Sequence, residues 1–390
     1  MIRSCMRSIV HARLEIPEEK RRRWPCEECI RAGRTRRRSF ETGVTTRRRV
    51  TAVRWRVWLL AGVAVTAALA GCSTSPQSGE LPLRQVSETP LSGGPVRFDY
   101  TALDVGRGRL FIAHMGASEL IDVDVRAHAV VRTLPDLAYV HGVIVVPDKH
   151  RVYATATGSN QVVAIDEDSG AVVFRAPTDT YPDGLAYDPI RRTVWTTNES
   201  AGTETVIDAD TGAVRATVPL GGEVGNVVYD TFLDQMVVAV QGRNDLAVVD
   251  PVSFTVTERI PTPGCDHPHG QALDVTDQVM FVGCEANATM VTVDLANRNV
   301  IDHHGVGETP DVLAYDPGAN RVYVAAESGW VSIFDHAQGR LTLRGSAYLA
   351  DGAHSLALDP TTHHSYIPIP KDHNGSPVLR EYEPTRGAHN

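Results

Sequence analysis

The hydrophobic pattern of this chain is a short alternation that returns seven times. Each copy sets one apolar-polar run, usually closed by Asp or Asp-Pro, against a second run a few residues later. The copies are ALDVGRGRLF (102–111), VVPDKHRVY (145–153), YDPIRRTVW (187–195), YDTFLDQMV (229–237), LDVTDQVMF (273–281), YDPGANRVY (315–323) and LDPTTHHSY (358–366). Anchored on Asp104, Val146, Asp188, Asp230, Asp274, Asp316 and Asp359, the intervals are 42, 42, 42, 44, 42 and 43 residues. A second ladder keeps step with the first: Asp124, Asp166, Asp208, Asp250, Asp294 and Asp335 each end an alternating run, and turns such as EDSG, ADTG and HAQG follow most of them. Period-two alternation interrupted by tight turns predicts strands joined as hairpins. In the third repeat four strands are legible, over 183–188, 192–197, 204–208 and 213–218. No segment carries sustained helical periodicity. An all-β chain that repeats at this period predicts a seven-bladed β-propeller of four-stranded antiparallel blades.

The ends of the array predict how the ring closes. After Asp359 the chain supplies SYIPI and PVLREYE (377–383), which leaves the seventh blade one strand short. Upstream, LRQVSETPL (83–91) reads like the outer strand AVRATVPL (213–220). The N-terminal strand is therefore expected to complete the last blade and remove an open sheet edge.

A different chain precedes the repeats. Residues 1–56 hold 17 Lys and Arg against 6 Asp and Glu, a net of +11, and residues 57–71 (VWLLAGVAVTAALAG) hold no charge. A basic flank, an apolar run and small residues before a cleavage site make a secretory signal. The run is shorter than the roughly 20 residues a spanning helix needs. Leu69-Ala70-Gly71-Cys72 resembles the bacterial lipobox, which implies cleavage before Cys72 and lipidation of its thiol. The expected organisation is a basic region and lipoprotein signal over 1–71, a lipidated tether over 72–80, the propeller over 81–385 and a tail over 386–390. If translation starts at Val44, residues 1–43, with Cys5, Cys26 and Cys29, are not made. The expected location is extracytoplasmic, anchored by lipid to a bacterial membrane.

Processing would change the electrostatics. From Cys72 onward the chain holds 38 minus 17, or 21, basic residues and 47 minus 6, or 41, acidic ones, a net of −20 with His neutral. Such a surface repels phosphate backbones, so no nucleic-acid partner is expected. Three cysteines remain, Cys72, Cys265 and Cys284. Antiparallel pairing brings Cys265 and Cys284 to the same end of one hairpin, which favours a disulfide outside the cytoplasm. The competing reading joins both thiolates to His267 and His269 around a metal.

Candidate chemistry gathers at the start of each inner strand. Five places before the anchors stand Asp99, His141, Asp183, Gly225, His269, Asp311 and His354, and Asn226 follows the one glycine. In a propeller these positions open on the central channel. The ends of the second strands are expected to add His114, Asn198, Glu285 and Glu327 as a secondary rim. Imidazoles and carboxylates from different blades offer mixed nitrogen and oxygen ligation suited to Zn, Mn, Fe or Cu rather than to Ca. The structural alternative is that Pro-X-Gly starts such as PDG (182–184) and PHG (268–270) merely cap neighbouring loops. No GxSxG nucleophile elbow and no phosphate-cradling glycine loop occurs.

Blocks such as PDGLAYDPIRRTVWTTNE, RVYATATGSNQVVAIDEDSGAVV and PDVLAYDPGANRVYVAAESG resemble the YVTN-type, or YncE-like, β-propeller repeat over residues 81–385. The resemblance implies the fold. Single-stranded DNA binding is known for some relatives, a property the net charge of −20 opposes. The wider set of seven-bladed propellers includes lactonases and subunits of amine dehydrogenases. The expected function is binding, without turnover, of a small ligand, a metal ion or a protein partner at the channel mouth. The alternatives are a metal-dependent hydrolase or lyase of the lactonase kind that uses the Asp/His ring, and a scaffold for another subunit.

Overall fold

Alternation along each strand sends successive side chains to opposite sheet faces, and in this chain both faces are apolar. In the strand Arg151–Ala156, Val152 and Ala154 pack with Phe111 and Ala113 of the preceding repeat, while Tyr153 packs with Val194 and Ile207 of the following one. Each sheet is thus buried between two others, and only its outermost strand is half exposed, as in Val172–Pro177. Burying a large aliphatic or aromatic side chain in this way contributes about 1.5–3 kcal/mol.

The computed structural model describes residues 80–385, which lie within one compact unit, Ala70–Asn390. The signal segment, the Cys26 and Cys29 pair, the lipobox cysteine Cys72 and the tail 386–390 lie outside the described residues. Among the described residues, seven four-stranded antiparallel sheets form a seven-bladed β-propeller. The inner strands are Thr101–Asp104, Val140–Val146, Pro182–Asp188, Val227–Asp230, Pro268–Asp274, Pro310–Asp316 and Ala357–Asp359, opening blades one to seven. The third blade runs Pro182–Asp188, Thr193–Asn198, Thr203–Asp208 and Val214–Pro219, within one residue of the boundaries read from sequence.

Closure is as the sequence predicts. Leu83–Pro90 pairs antiparallel with Val378–Pro384, from Leu83 opposite Pro384 to Pro90 opposite Val378, so blade seven takes its outer strand from the N-terminal side of the ring. Ser87 Oγ donates to Glu381 Oε2 at 2.7 Å and Arg380 Nε donates to Glu88 Oε2 at 2.9 Å across this seam.

The anchor aspartates are turn caps. Oδ1 of Asp188, Asp230, Asp274 and Asp316 accepts the backbone N–H groups two and three places ahead, at 2.8–3.2 Å. These Asx turns close the inner hairpins at one end of the channel. The residues that open the inner strands stand at the other end.

Candidate functional site at the channel mouth

Most rim residues follow an unusual backbone step. Tyr139, Tyr181, His267 and Thr309 have φ of 50°, 65°, 56° and 55°, and they stand two places before His141, Asp183, His269 and Asp311. Gly352, at 73°, stands likewise before His354. Non-glycine residues seldom enter this left-handed region. The strand register then slips, between Val140 and Val143, Pro182 and Leu185, Pro268 and Gln271, and Pro310 and Val312. Bulges of this sort re-aim a side chain at a strand start. Glycine after the rim residue leaves room for the next blade: a Cβ on Gly142 would lie 2.1 Å from Asp183 O, and one on Gly270 1.8 Å from Asp311 O.

The rim converges through a tyrosine that sequence reasoning did not single out. Tyr100, from blade one, donates its hydroxyl to Asn226 Oδ1 at 2.9 Å and lies 3.4 Å from both His269 Nε2 and Asp311 Oδ1. It spans the channel, touching residues at the starts of blades four, five and six. His269 Nε2 is 3.3 Å from Asp311 Oδ1, His354 Nε2 is 3.7 Å from Asp311 Oδ2, and His141 Nε2 is 4.0 Å from Asp99 Oδ2. Ligand atoms of Asp99, Asp311 and His354 all lie within 4.8 Å of one another. Asp99, His141, Asp183, Asn226, His269, Asp311 and His354 are each at most 8% exposed.

Arg97 stands beside this group. Its guanidinium is 2.7 Å from Glu327 Oε1, 3.5 Å from Asp99 Oδ2 and 3.8 Å from Asp311 Oδ2. Gln241 Nε2 lies 2.5 Å from His269 Nδ1 and 3.3 Å from Glu285 Oε2. Glu285 and Glu327, two of the four secondary-rim residues, therefore connect to the rim through Gln241 and Arg97. The other two do not. His114 bonds Glu119 Oε1 at 2.8 Å and Gly94 O at 3.2 Å, and Asn198 Nδ2 bonds Thr203 and Thr205 inside its own sheet.

Backbone carbonyls fix two of the imidazoles. His141 Nδ1 donates to Tyr139 O at 2.7 Å and His354 Nδ1 donates to Gly352 O at 2.9 Å. A carbonyl only accepts, so each Nδ1 carries a proton, and Nε2 is the nitrogen that each ring turns toward the rim carboxylates. Nε2 of His141 accepts from the Tyr181 hydroxyl at 3.2 Å. Nε2 of His354 is buried without a hydrogen-bond partner, and so is Oδ1 of Asp183.

Burial and mutual fields move the acids apart. Burial, followed by the nearby Asp99 carboxylate, pushes Asp183 up to about 7. Burial opposes ionisation of Asp311 too, but the His269 hydrogen bond and the fields of His354, His269 and Arg97 outweigh it and hold this acid below the usual carboxylate range. His269 mirrors that pairing: burial lowers it, yet the bond to Asp311 and the fields of Asp311, Asp183 and Glu285 raise it to about 10. Burial and the fields of Asp311, Asp183 and Asp99 keep the Tyr100 phenol protonated, well above its ordinary value. The rim thus sets the carboxyl groups of Asp99, Asp183, Asp311, Glu285 and Glu327 around Arg97 and the imidazoles of His141, His269 and His354.

Two further sequence expectations resolve locally. Cys265 and Cys284 form a disulfide with a Cα–Cα distance of 5.1 Å, so neither is a thiolate ligand. His267 pairs with its neighbour Asp266 at 2.9 Å. At the opposite end of the channel Asp274, Asp277 and His336 also cluster. There His336 Nε2 accepts the Gly339 N–H at 2.9 Å, and Nδ1 faces Asp274 Oδ2 at 3.2 Å as the one nitrogen that could serve a metal in this cluster.

No protein-family model and no curated protein sequence matches the chain. Solved structures do match in shape. A streptogramin B lyase structure aligns with a TM-score of 0.63 at 11% identity, covering 76% of this chain and 96% of that one. Hydrazine synthase from Kuenenia stuttgartiensis aligns with a TM-score of 0.65 at 16% identity, covering 77% of this chain and 97% of that one. At such identities the likeness is one of fold.

Proposed function

We propose that this protein is a secreted, lipid-tethered propeller of the YVTN type that binds a divalent transition-metal ion at its channel mouth without turnover. Asp99, Asp311 and His354 would hold the ion, with His141 and Asp183 beside them. The observation that carries this reading is the buried Nε2 of His354, without a hydrogen-bond partner and 3.7 Å from Asp311 Oδ2, in a residue that clusters with Asp99 and Asp311. A buried polar atom without a partner costs about 1–3 kcal/mol, which a ligand there would offset. The mixed nitrogen and oxygen donors suit the same ligand.

Binding is favoured over catalysis by the depth of the rim, where each of the seven residues is at most 8% exposed and a bare ion fits more readily than an organic substrate. The lipobox-like LAGC and the basic, uncharged-core leader support an extracytoplasmic, membrane-tethered location, and the net charge of −20 from Cys72 onward argues against nucleic acid. A small molecule or protein partner would then meet the ion from the rim side.

Elemental analysis of the full chain, purified without a polyhistidine tag, tests the reading. About one equivalent of Zn, Mn, Fe or Cu is expected after dialysis against each ion, and it should be lost in Asp311→Asn combined with His354→Ala. Retention of no ion by the folded wild type would overturn it.

A further inference from the structure

Behind the rim the channel changes character. A cavity of about 450 Å³ runs from Tyr100, Asn226 and Gln271 to Pro317 and Pro360, the latter two lying just past the turn aspartates at the opposite end. Its wall is aliphatic: Leu103, Ile144, Leu185, Val228, Ala314 and Leu358, one from each of six blades, are all only partly buried and all line it. Asp99, His141, Asp183, His269, Asp311 and His354 do not line it. Tyr100 bars the end nearest the rim, held across the axis by its hydrogen bond to Asn226. The result is a well with a polar floor, an apolar wall and a mouth on the face away from the charged rim.

We infer that this well is a second binding site, for a small amphipathic molecule whose aliphatic body fills the channel and whose one polar end reaches Tyr100, Asn226 and Gln271. The volume lies in the range of small-molecule pockets, which are mostly apolar with a few polar groups that fix orientation. Wall and floor both fit that description. Partly buried aliphatic side chains drawn from six blades gain by leaving water together, as single surface ones do not. The floor offers donors and acceptors in the Asn226 and Gln271 amides and the Tyr100 hydroxyl. Oε1 of Gln271 and Oγ1 of Thr101, both on residues that line the cavity, are themselves buried without a hydrogen-bond partner, so the polar end of the well carries two unsatisfied oxygens. Tyr100 and Asn226 belong to both the well and the rim, which places the two sites back to back.

Photolabelling the full chain with an octanol-derived diazirine, followed by peptide mapping, tests the inference. Saturable adducts are expected on the inner strands that carry Ile144, Val228 and Leu358. Competition by n-alcohols should sharpen about fourfold per methylene, the gain for burying one CH₂, until the chain fills the well. Val228→Trp and, separately, Leu358→Trp enlarge partly buried wall residues; each should reduce inner-strand labelling at least tenfold while adducts elsewhere persist. Labelling spread evenly over the surface, failure to saturate, or labelling unchanged in both folded variants would show a channel filled by water and overturn the inference. Metal content measured on the same preparations keeps this outcome separate from the rim reading, because labelling without metal sinks only the latter and metal without labelling only the former.

Discussion

Glu204 shows what a single side chain costs when the fold gives it no partner. It lies on the third strand of blade three, opposite Thr197 and Val218, fully buried, with neither carboxyl oxygen hydrogen-bonded. Burial alone holds its pKa well above the ordinary carboxyl value. The folded state therefore keeps a proton that the unfolded chain releases, so stability is greatest below the ordinary pKa and falls as pH rises above it. Glu204→Gln keeps the shape and removes the titration. At pH 8 the variant should be more stable than wild type by about 1–3 kcal/mol, and at pH 4 the two should nearly coincide. Denaturant unfolding at both pH values measures the gap. A gap of the same size at each pH would mean that Glu204 does not hold the proton in the folded state.

At the scale of the element, the inner hairpin of blade five joins fold to site. The disulfide Cys265–Cys284 ties the approach to Pro268–Asp274 to the end of Val279–Cys284, and between them Pro268, His269 and Gly270 make the bulge that presents His269 to Asp311. Gly270→Ala would place a methyl carbon 1.8 Å from Asp311 O, so backbone must move on one side of the contact. Overpacking of that kind costs about 1–3 kcal/mol. The expected result is a loss of that size in chemical denaturation together with weaker metal retention, because Asp311 is displaced; an unaltered unfolding midpoint would contradict the contact. Glycine at this place was visible in the sequence as PHG, but its reason was not, since the neighbour it makes room for is 41 residues away in the next blade. The same distinction separates what was legible from what was not. The period near 42 exposed the blades, the closing strand and the hairpin that brings the two cysteines together, because each depends on regular spacing. Arg97 and Tyr181 stand two places before rim residues, and Gln241 stands eleven places after Asp230 as Glu285 and Glu327 do after Asp274 and Asp316, so their positions repeat while their residue types do not; they and Tyr100 reach the rim by length and direction across blades. His114 and Asn198 have suitable chemistry at the expected strand ends, yet their side chains turn to Glu119 and to Thr203 and Thr205, which only the packing decides.

For the molecule as a whole, the ring is held shut by one seam that joins residues nearly three hundred places apart. Leu83–Pro90 covers the edge of Val378–Pro384, and without it the seventh sheet would present a row of unpaired N–H and C=O groups to solvent. Deleting residues 83–90 from the full chain should therefore destabilise the propeller by more than about 4 kcal/mol, beyond the range of most single substitutions, and leave an edge that recruits strands from other copies. Two forces oppose each other in that recruitment. Backbone pairing favours it, while the acidic charge, −9 over the full chain and −20 over residues 72–390, repels approaching copies across a distance set by ionic strength. Oligomers of the deleted chain should accordingly increase as salt is raised from about 0.01 M to about 0.15 M, over which the screening length falls from about 30 Å to about 8 Å. Light scattering coupled to size exclusion reads the mass at each salt, and a synthetic peptide spanning 80–91 should return the chain to a monomer by occupying the vacant edge. A deleted chain that stays monomeric at every salt with an unchanged unfolding midpoint would show that the seam is dispensable and that six blades with a three-stranded seventh are sufficient to hold the ring.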